Sequence, residues 1–259
     1  MIKHRILALY DSHFPHNIPL GTLLNYAKDF KPTDFILGGD NWDLGFLSHW
    51  NDANFKNIGF DSIRKRLQNE AKAFSLQLTL FQRAMPHAKV YYIEGNHEHW
   101  LVGFSQKYSQ MSDLSLESLL DLKARGIELI PYIDDADDGI PKADFIKLGK
   151  LYFKHGHQYS GQNPVKQGLE RSHKSVVMGH HHGFITWANH SDVDDKEQHV
   201  GHLVPCYRKR GAGYGHGSPN RWMNGFFWAY VKESGNFSGS VQLVSPEGKF
   251  ITQSGKEYI

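Results

Sequence analysis

Five short clusters of aspartate, asparagine and histidine stand out along the 259-residue chain: Asp11-x-His13, Gly39-Asp40-x-x-Asp43, Gly95-Asn96-His97-Glu98, His155-Gly156-His157 and Gly179-His180-His181-His182. Carboxylate and amide oxygens are hard donors and imidazole is an intermediate one, so together they suit divalent cations without any thiolate. Two such cations about 3.5–4 Å apart clamp the attacking and the leaving oxygen of a displacement at phosphorus. That chemistry needs a carboxylate able to bridge the ions and open positions for water and phosphate. It also needs glycines where the backbone turns sharply beside a ligand. Taken singly, each cluster has an ordinary reading. Asp11 and Asp40 fit turns or helix caps, His155 fits a packed or surface histidine, and an Asp-x-His arises by chance about once in a chain this rich in histidine. The case rests on the five occurring together.

The elements that must position them are partly visible. Residues 5–10 form an apolar run that reads as a buried strand stopping at Asp11. Leu20, Leu23, Leu24 and Ala27 recur at helical spacing over 20–30, and Leu67, Ala71, Phe74, Leu78 and Phe81 share one face of a long helix over 62–84. A further helix is expected over 114–125, closed by Gly126, and a weaker one over 164–173. Strands are expected at 34–38, 88–93, 127–131, on both sides of Gly149 within 144–154, and at 175–178, then at 184–188, 200–205, 226–232, 237–244 and 248–252. Strand and helix alternate in the first half and strands dominate the second, which implies an α/β fold of packed mixed sheets with helices outside. Ligands of such sheets gather beyond the carboxyl ends of strands, and four of the five clusters lie there. No repeat or linker interrupts residues 1–259. A single domain is expected, with an aromatic and basic insertion at about 42–66 and a strand-rich part from about 183.

Composition bounds the setting. The one cysteine, Cys206, cannot form an internal disulfide, which suits a reducing, cytoplasmic context. The apolar stretch near the N-terminus is too short for a secretion signal, and no stretch approaches the length of a membrane span. A net charge of +2 is too mild to argue for nucleic acid by itself. The acidic segment from Asp134 to Asp138 reads as a solvated loop rather than a metal site.

In this order and combination, Asp11-x-His13, Gly39-Asp40-x-x-Asp43, Gly95-Asn96-His97-Glu98, His155 and Gly179-His180-x-His182 resemble the calcineurin-like metallophosphoesterase superfamily. Pro219-Asn220-Arg221-Trp222 and the Gly-Asp-Asn-Trp region look like bacteriophage-encoded members. The resemblance implies an αββα sandwich and a centre of two divalent metal ions. Nitrogen and oxygen ligands without sulfur suit manganese, placed first, and iron, zinc or nickel as alternatives. Asp11, His13 and His182 would hold one ion, and Asn96, His155 and His180 the other, with Asp40 bridging. Hydroxide between the ions would attack phosphorus. His97 would face the leaving oxygen as general acid or stabilise charge there, held in its tautomer by Asp43. The choice of His155 over His157 follows the family's His-Gly order. One departure matters: the superfamily's protein phosphatases follow the second motif with Arg-Gly, whereas Leu44-Gly45 follows Asp43 here, so a phosphoprotein substrate is disfavoured.

The ester is less legible. Trp42, Phe46, His49, Trp50, Phe55 and Phe60, then Arg64-Lys65-Arg66, form a surface able to stack bases and contact phosphates, or else a cap packed on the long helix. Arg208, Lys209 and Arg210, the following glycine-rich stretch and Arg221 form a second candidate substrate surface, or a solvated loop. Three functions are therefore carried forward. The first is a phosphodiesterase or nuclease acting on nucleic acid or nucleotides. The second is a phosphomonoesterase for a small molecule, and the third is a metal-stabilised binding module without chemistry, against which the intact His97–Asp43 pair argues.

Overall fold

Strand β1 (Ile2–Leu9) sets the layers by alternation. Ile6, Ala8 and Tyr10 face one way and Leu7 and Leu9 the other, and both sets are fully buried because β1 lies inside a sheet covered on both faces. In the computed structural model, which describes residues 1–48, 58–133, 144–190, 198–211 and 222–259, that sheet has six strands in the order β11-β10-β1-β2-β3-β4. Here β2 is Asp34–Leu37, β3 Lys89–Ile93, β4 Ile127–Ile130, β10 Asn224–Lys232 and β11 Phe237–Val244. Strands β1 to β4 run parallel, and β10 and β11 join antiparallel at one edge.

A second sheet has the order β5-β6-β7-β9-β8, from Ile146–Leu148, Leu151–Phe153, Ser175–Met178, Gln198–Leu203 and Ile185–His190. Strands β6, β7 and β9 are parallel, and β5 and β8 antiparallel to their neighbours. Ile6, Ala8, Ile36 and Phe227 of the first sheet pack against Leu151, Phe153 and Val177 of the second, so the two sheets share one apolar layer. Helices α1 (Gly21–Phe30) and α2 (Phe60–Ala84) cover the outer face of the first sheet. Ile63, Leu67, Ala71, Phe74, Leu78 and Phe81 of α2 are buried at three- and four-residue intervals, the stripe the periodicity predicted. Helix α5 (Pro164–Ser172), capped by the Asn163 side chain, covers the second sheet through Val165 and Leu169. The result is a four-layer αββα sandwich.

Several expectations are corrected. The third cluster does not lie on a loop: Asn96 opens helix α3 (Asn96–Lys107). Only His97, Glu98, Leu101 and Phe104 of α3 are buried, so it shows little apolar periodicity. The helix expected over 114–125 is the short α4 (Leu116–Leu120), because Asp121 takes a left-handed conformation and ends it. The last expected strand is a small hairpin, β12 (Phe250–Ile251) with β13 (Glu257–Tyr258). Among the described residues, no helix is long and apolar enough to cross a membrane. The acidic segment 134–138, His49, Trp50, Phe55, Arg221 and residues 212–217 of the glycine-rich stretch lie outside the described residues.

Candidate metal centre

Strands β1, β2 and β3 are parallel neighbours in one sheet, and β6 and β7 in the other, and the five clusters follow the carboxyl ends of these five strands. Backbone bonds lash the ends together. Asp11 and His13 donate to the carbonyls of Gly39 and Asp40 at 3.0 and 2.9 Å, and Gly179 donates to the carbonyl of His155 at 2.9 Å. The Asp11 carboxylate accepts from the backbone N–H of His180 at 2.8 Å, joining the two sheets at the site.

The backbone is bent where side chains must converge. Asp11, His13, Asp40, His180 and His182 all have φ between 48° and 71°, a region non-glycine residues enter rarely and at a cost of about 1–3 kcal/mol each. The neighbouring glycines are required by space. A Cβ on Gly95 would sit 2.2 Å from the Asp40 carboxylate, one on Gly39 2.4 Å from the His155 ring, and one on Gly179 2.4 Å from the Asp11 carboxylate.

Three groups of side chains result: Asp11, His13 and His182 converge, so do Asp40, His155 and His180, and His13 also meets Asp43 and His97. The first two match the ligand sets expected for two ions. Within the first, His13 Nε2 lies 3.1 Å from His182 Nε2, and His182 Nε2 lies 3.4 Å from Asp11 Oδ1. Within the second, His155 Nε2 lies 3.4 Å from Asp40 Oδ2, 3.3 Å from His180 Nδ1 and 3.1 Å from Asn96 Oδ1. A neutral imidazole can donate to another's bare nitrogen, and the same nitrogens, gathered with carboxylate oxygens, are the donor set a divalent cation takes. Asp11 Oδ1 and His13 Nδ1 are buried without a hydrogen-bond partner, which a cation relieves in the case of Asp11. His155 Nδ1 donates to the Gly38 carbonyl at 3.1 Å, the bond that fixes a metal-ligating imidazole with its other nitrogen bare. The residues present therefore fit a metal centre.

His157 and His181 join none of these groups. His157 stacks on Tyr132 with ring centroids 4.0 Å apart, and His181 Nε2 donates to the Tyr159 carbonyl at 2.7 Å. This arrangement separates His155 from His157 as a ligand candidate.

His97 Nδ1 lies 3.0 Å from Asp43 Oδ1, and His97 lines the pocket that opens on both ligand sets, with His13, Asp40, Asn96, His180, His181, His182, Arg208 and Trp222. Burial works against protonation of His97, yet Asp40 and Asp43 outweigh it and raise its pKa above the ordinary value. Burial and the facing His155 push His180 down to about 3, so its nitrogens stay available to a cation.

Two candidate substrate residues are buried, Trp42 in the cap packed on the long helix and Arg208 inside the site. Trp42 is fully buried, packs on Phe74 and donates its indole N–H to Glu70 at 3.2 Å, so it offers no face to a substrate. Arg208 is 2% exposed and pairs with Asp43, Nη2 to Oδ2 at 3.3 Å, while Lys209 and Arg210 are exposed. In the insertion, the Arg66 guanidinium lies 3.8 Å over the Phe46 ring, so that aromatic packs within the cap. Glu98 had no role assigned from sequence. It is fully buried and accepts from the backbone N–H groups of Asp40, Asn41, Trp42 and Gly95 and from the Tyr92 hydroxyl, at 2.7–3.0 Å. It thereby holds the second cluster against the start of α3. The signal was present in Gly95-x-x-Glu98, the spacing of a carboxylate reaching back to a helix N-terminus.

Among solved structures, the chain is similar to a conserved uncharacterised protein from Streptococcus pneumoniae TIGR4 described as a predicted phosphoesterase. The identity is 12%, over 100% of this chain and 98% of that one, with a TM-score of 0.40. It is also similar to Chaetomium thermophilum Vps29, at 8% identity over 92% of this chain and 97% of that one, with a TM-score of 0.39. No curated protein matches. The model of the calcineurin-like phosphoesterase family matches residues 4–229, a span that contains every cluster described above. The chain belongs to the calcineurin-like phosphoesterase family.

Proposed function

We propose that this protein is a phosphodiesterase of nucleic acid or nucleotides that works with two divalent metal ions, manganese first and iron, zinc or nickel as alternatives. The single observation that carries the reading is the convergence of two ligand groups beside a hydrogen-bonded His97–Asp43 pair in one pocket. Asp11, His13 and His182 would hold one ion, and Asn96, His155 and His180 the other, with Asp40 between them. When bound, such ions supply a water acidic enough to attack near neutral pH and positive charge for the phosphoryl oxygens. His97, its Nδ1 held by Asp43, presents Nε2 to the leaving oxygen and delivers the proton it needs.

Preference for a diester rests on the pocket rim. Trp222 stands edge-on to His182, ring centroids 4.5 Å apart, and Arg210 donates to the Trp222 carbonyl at 2.9 Å. An aromatic ring beside the exposed cations Lys209 and Arg210 suits a base and its neighbouring phosphate. Cys206, the one cysteine, is buried and cannot pair within the chain, in keeping with a cytoplasmic protein. The test compares bis-p-nitrophenyl phosphate, p-nitrophenyl phosphate and labelled single-stranded DNA with manganese present. Faster turnover of the diester, and DNA affinity that falls steeply with salt, are expected. A strong preference for the monoester would give the phosphomonoesterase alternative the site.

A further inference from the structure

We propose that Arg208 is a positioning residue that works through Asp43 to aim His97 at the leaving oxygen, an inference that rests on the reading of His97 as general acid. Asp43 is gripped on both oxygens. Its Oδ1 accepts from His97 Nδ1 at 3.0 Å and from the backbone N–H of Gly45 at 3.2 Å. Its Oδ2 faces Arg208 Nη2 at 3.3 Å and His16 Nε2 at 3.5 Å. A carboxylate held at one oxygen can still rotate about its own axis. A guanidinium N–H on the other oxygen restrains that rotation, and with it the direction in which Oδ1 meets the imidazole. The chain spends a buried arginine on this: Arg208 is 2% exposed and lines the same pocket as His97.

The backbone of Arg208 is anchored to the parts that Asp43 must be registered against. Tyr207 N–H donates to the Asp11 carbonyl at 3.1 Å, Lys209 N–H to the His16 carbonyl at 2.8 Å, and Asn224 Nδ2 to the Arg208 carbonyl at 2.8 Å. The segment that fixes Arg208 is thus bonded to the first ligand, Asp11, and to β10. The Trp222 ring, its centroid 5.7 Å from the guanidinium carbon, adds a cation–π contact. This geometry reassigns Arg208 from a contact on a solvent-facing basic run to a strut inside the site.

A general acid matters more as the leaving oxygen becomes more basic, which separates this role from general structural support. The full-length manganese-loaded protein, Arg208→Gln, His97→Ala and the double variant are assayed on phosphodiesters whose phenolate leaving groups rise in basicity. Arg208→Gln is expected to lose about 10-fold to 100-fold, the cost typical of an orienting partner, growing with leaving-group basicity. It should lose nothing further in the His97→Ala background, with metal content unchanged. In metal-free protein, the downfield proton NMR signal of His97 Nδ1 should shift or vanish in Arg208→Gln. If Arg208→Gln does not fold, Arg208→Lys carries the same cycle, with a smaller loss of the same dependence. Losses that multiply in the double variant, a loss uniform across leaving groups, or an unmoved Nδ1 proton would each overturn the proposal. A His97→Ala loss independent of the leaving group would instead remove the general-acid reading beneath it.

Discussion

Two histidines at neighbouring strands, His180 just after β7 and His202 within β9, are buried to similar effect and mean different things. Burial pushes both pKa values down, to about 3 and about 4. Around His202 the surroundings are complete: the Thr186 hydroxyl lies 3.1 Å from Nδ1, and the Phe227 ring packs 5.2 Å away. Around His180 the partners are themselves candidate ligands: its Nδ1 lies 3.3 Å from His155 Nε2, its φ is 71°, and Asp40 stands in the same group. A depressed pKa therefore does not by itself mark a ligand. The mark of a ligand is a set of donors turned toward one another on a backbone bent to place them.

The comparison can be broken most sharply at His97. His97→Ala is expected to slow diester hydrolysis about 10²–10⁴-fold while elemental analysis finds the metals retained. Unchanged turnover would place the working histidine elsewhere.

At His202 the effect is on stability. Its folded pKa of about 4 lies below the unfolded value, so the native state is fully favoured above about pH 6.5. As pH falls from 6.5 toward 4 the unfolded chain takes up a proton that the native chain refuses, and up to about 3 kcal/mol is lost. His202→Asn, which keeps an acceptor for Thr186, should flatten that part of the stability curve in chemical denaturation. A curve parallel to the parent protein's would show that His202 does not carry the acid sensitivity.

A smaller cost, about 1–3 kcal/mol, is expected from Gly95→Ala, whose Cβ would strike the Asp40 carboxylate and the Asp40 backbone N at 2.2 and 2.3 Å. Weaker metal retention should accompany it, and unaltered melting and metal content would mean that the loop relaxes freely. The smallest effect belongs to His157→Ala. It lies beside the centre but stacks on Tyr132, so metal content should not change; loss of an ion would restore His157 as a ligand.

These residues also show what was legible in the chain. The ligand candidates were, because each lies within a few residues of an apolar run that ends abruptly, and strand ends are where α/β sheets build sites. The long α2 was legible from its stripe. Helix α3 was hidden, since Asn96, His97, Glu98 and His99 occupy its first turn and its buried apolar residues are only Leu101 and Phe104. Trp42 read either as a stacking surface or as part of a cap packed on the long helix, because an aromatic beside a ligand keeps both readings until its cover is known, and the cover is Phe74 of that helix, far along the chain. Arg208 read as part of a basic run, because local spacing carries no sign of a partner as remote as Asp43.

If Asp40 joins the two ligand groups into one centre, protein reconstituted with manganese should carry close to two ions per chain by elemental analysis, and Asp40→Asn clearly fewer. One ion or none in the parent protein, or the same content in both, would show that Asp40 does not join them.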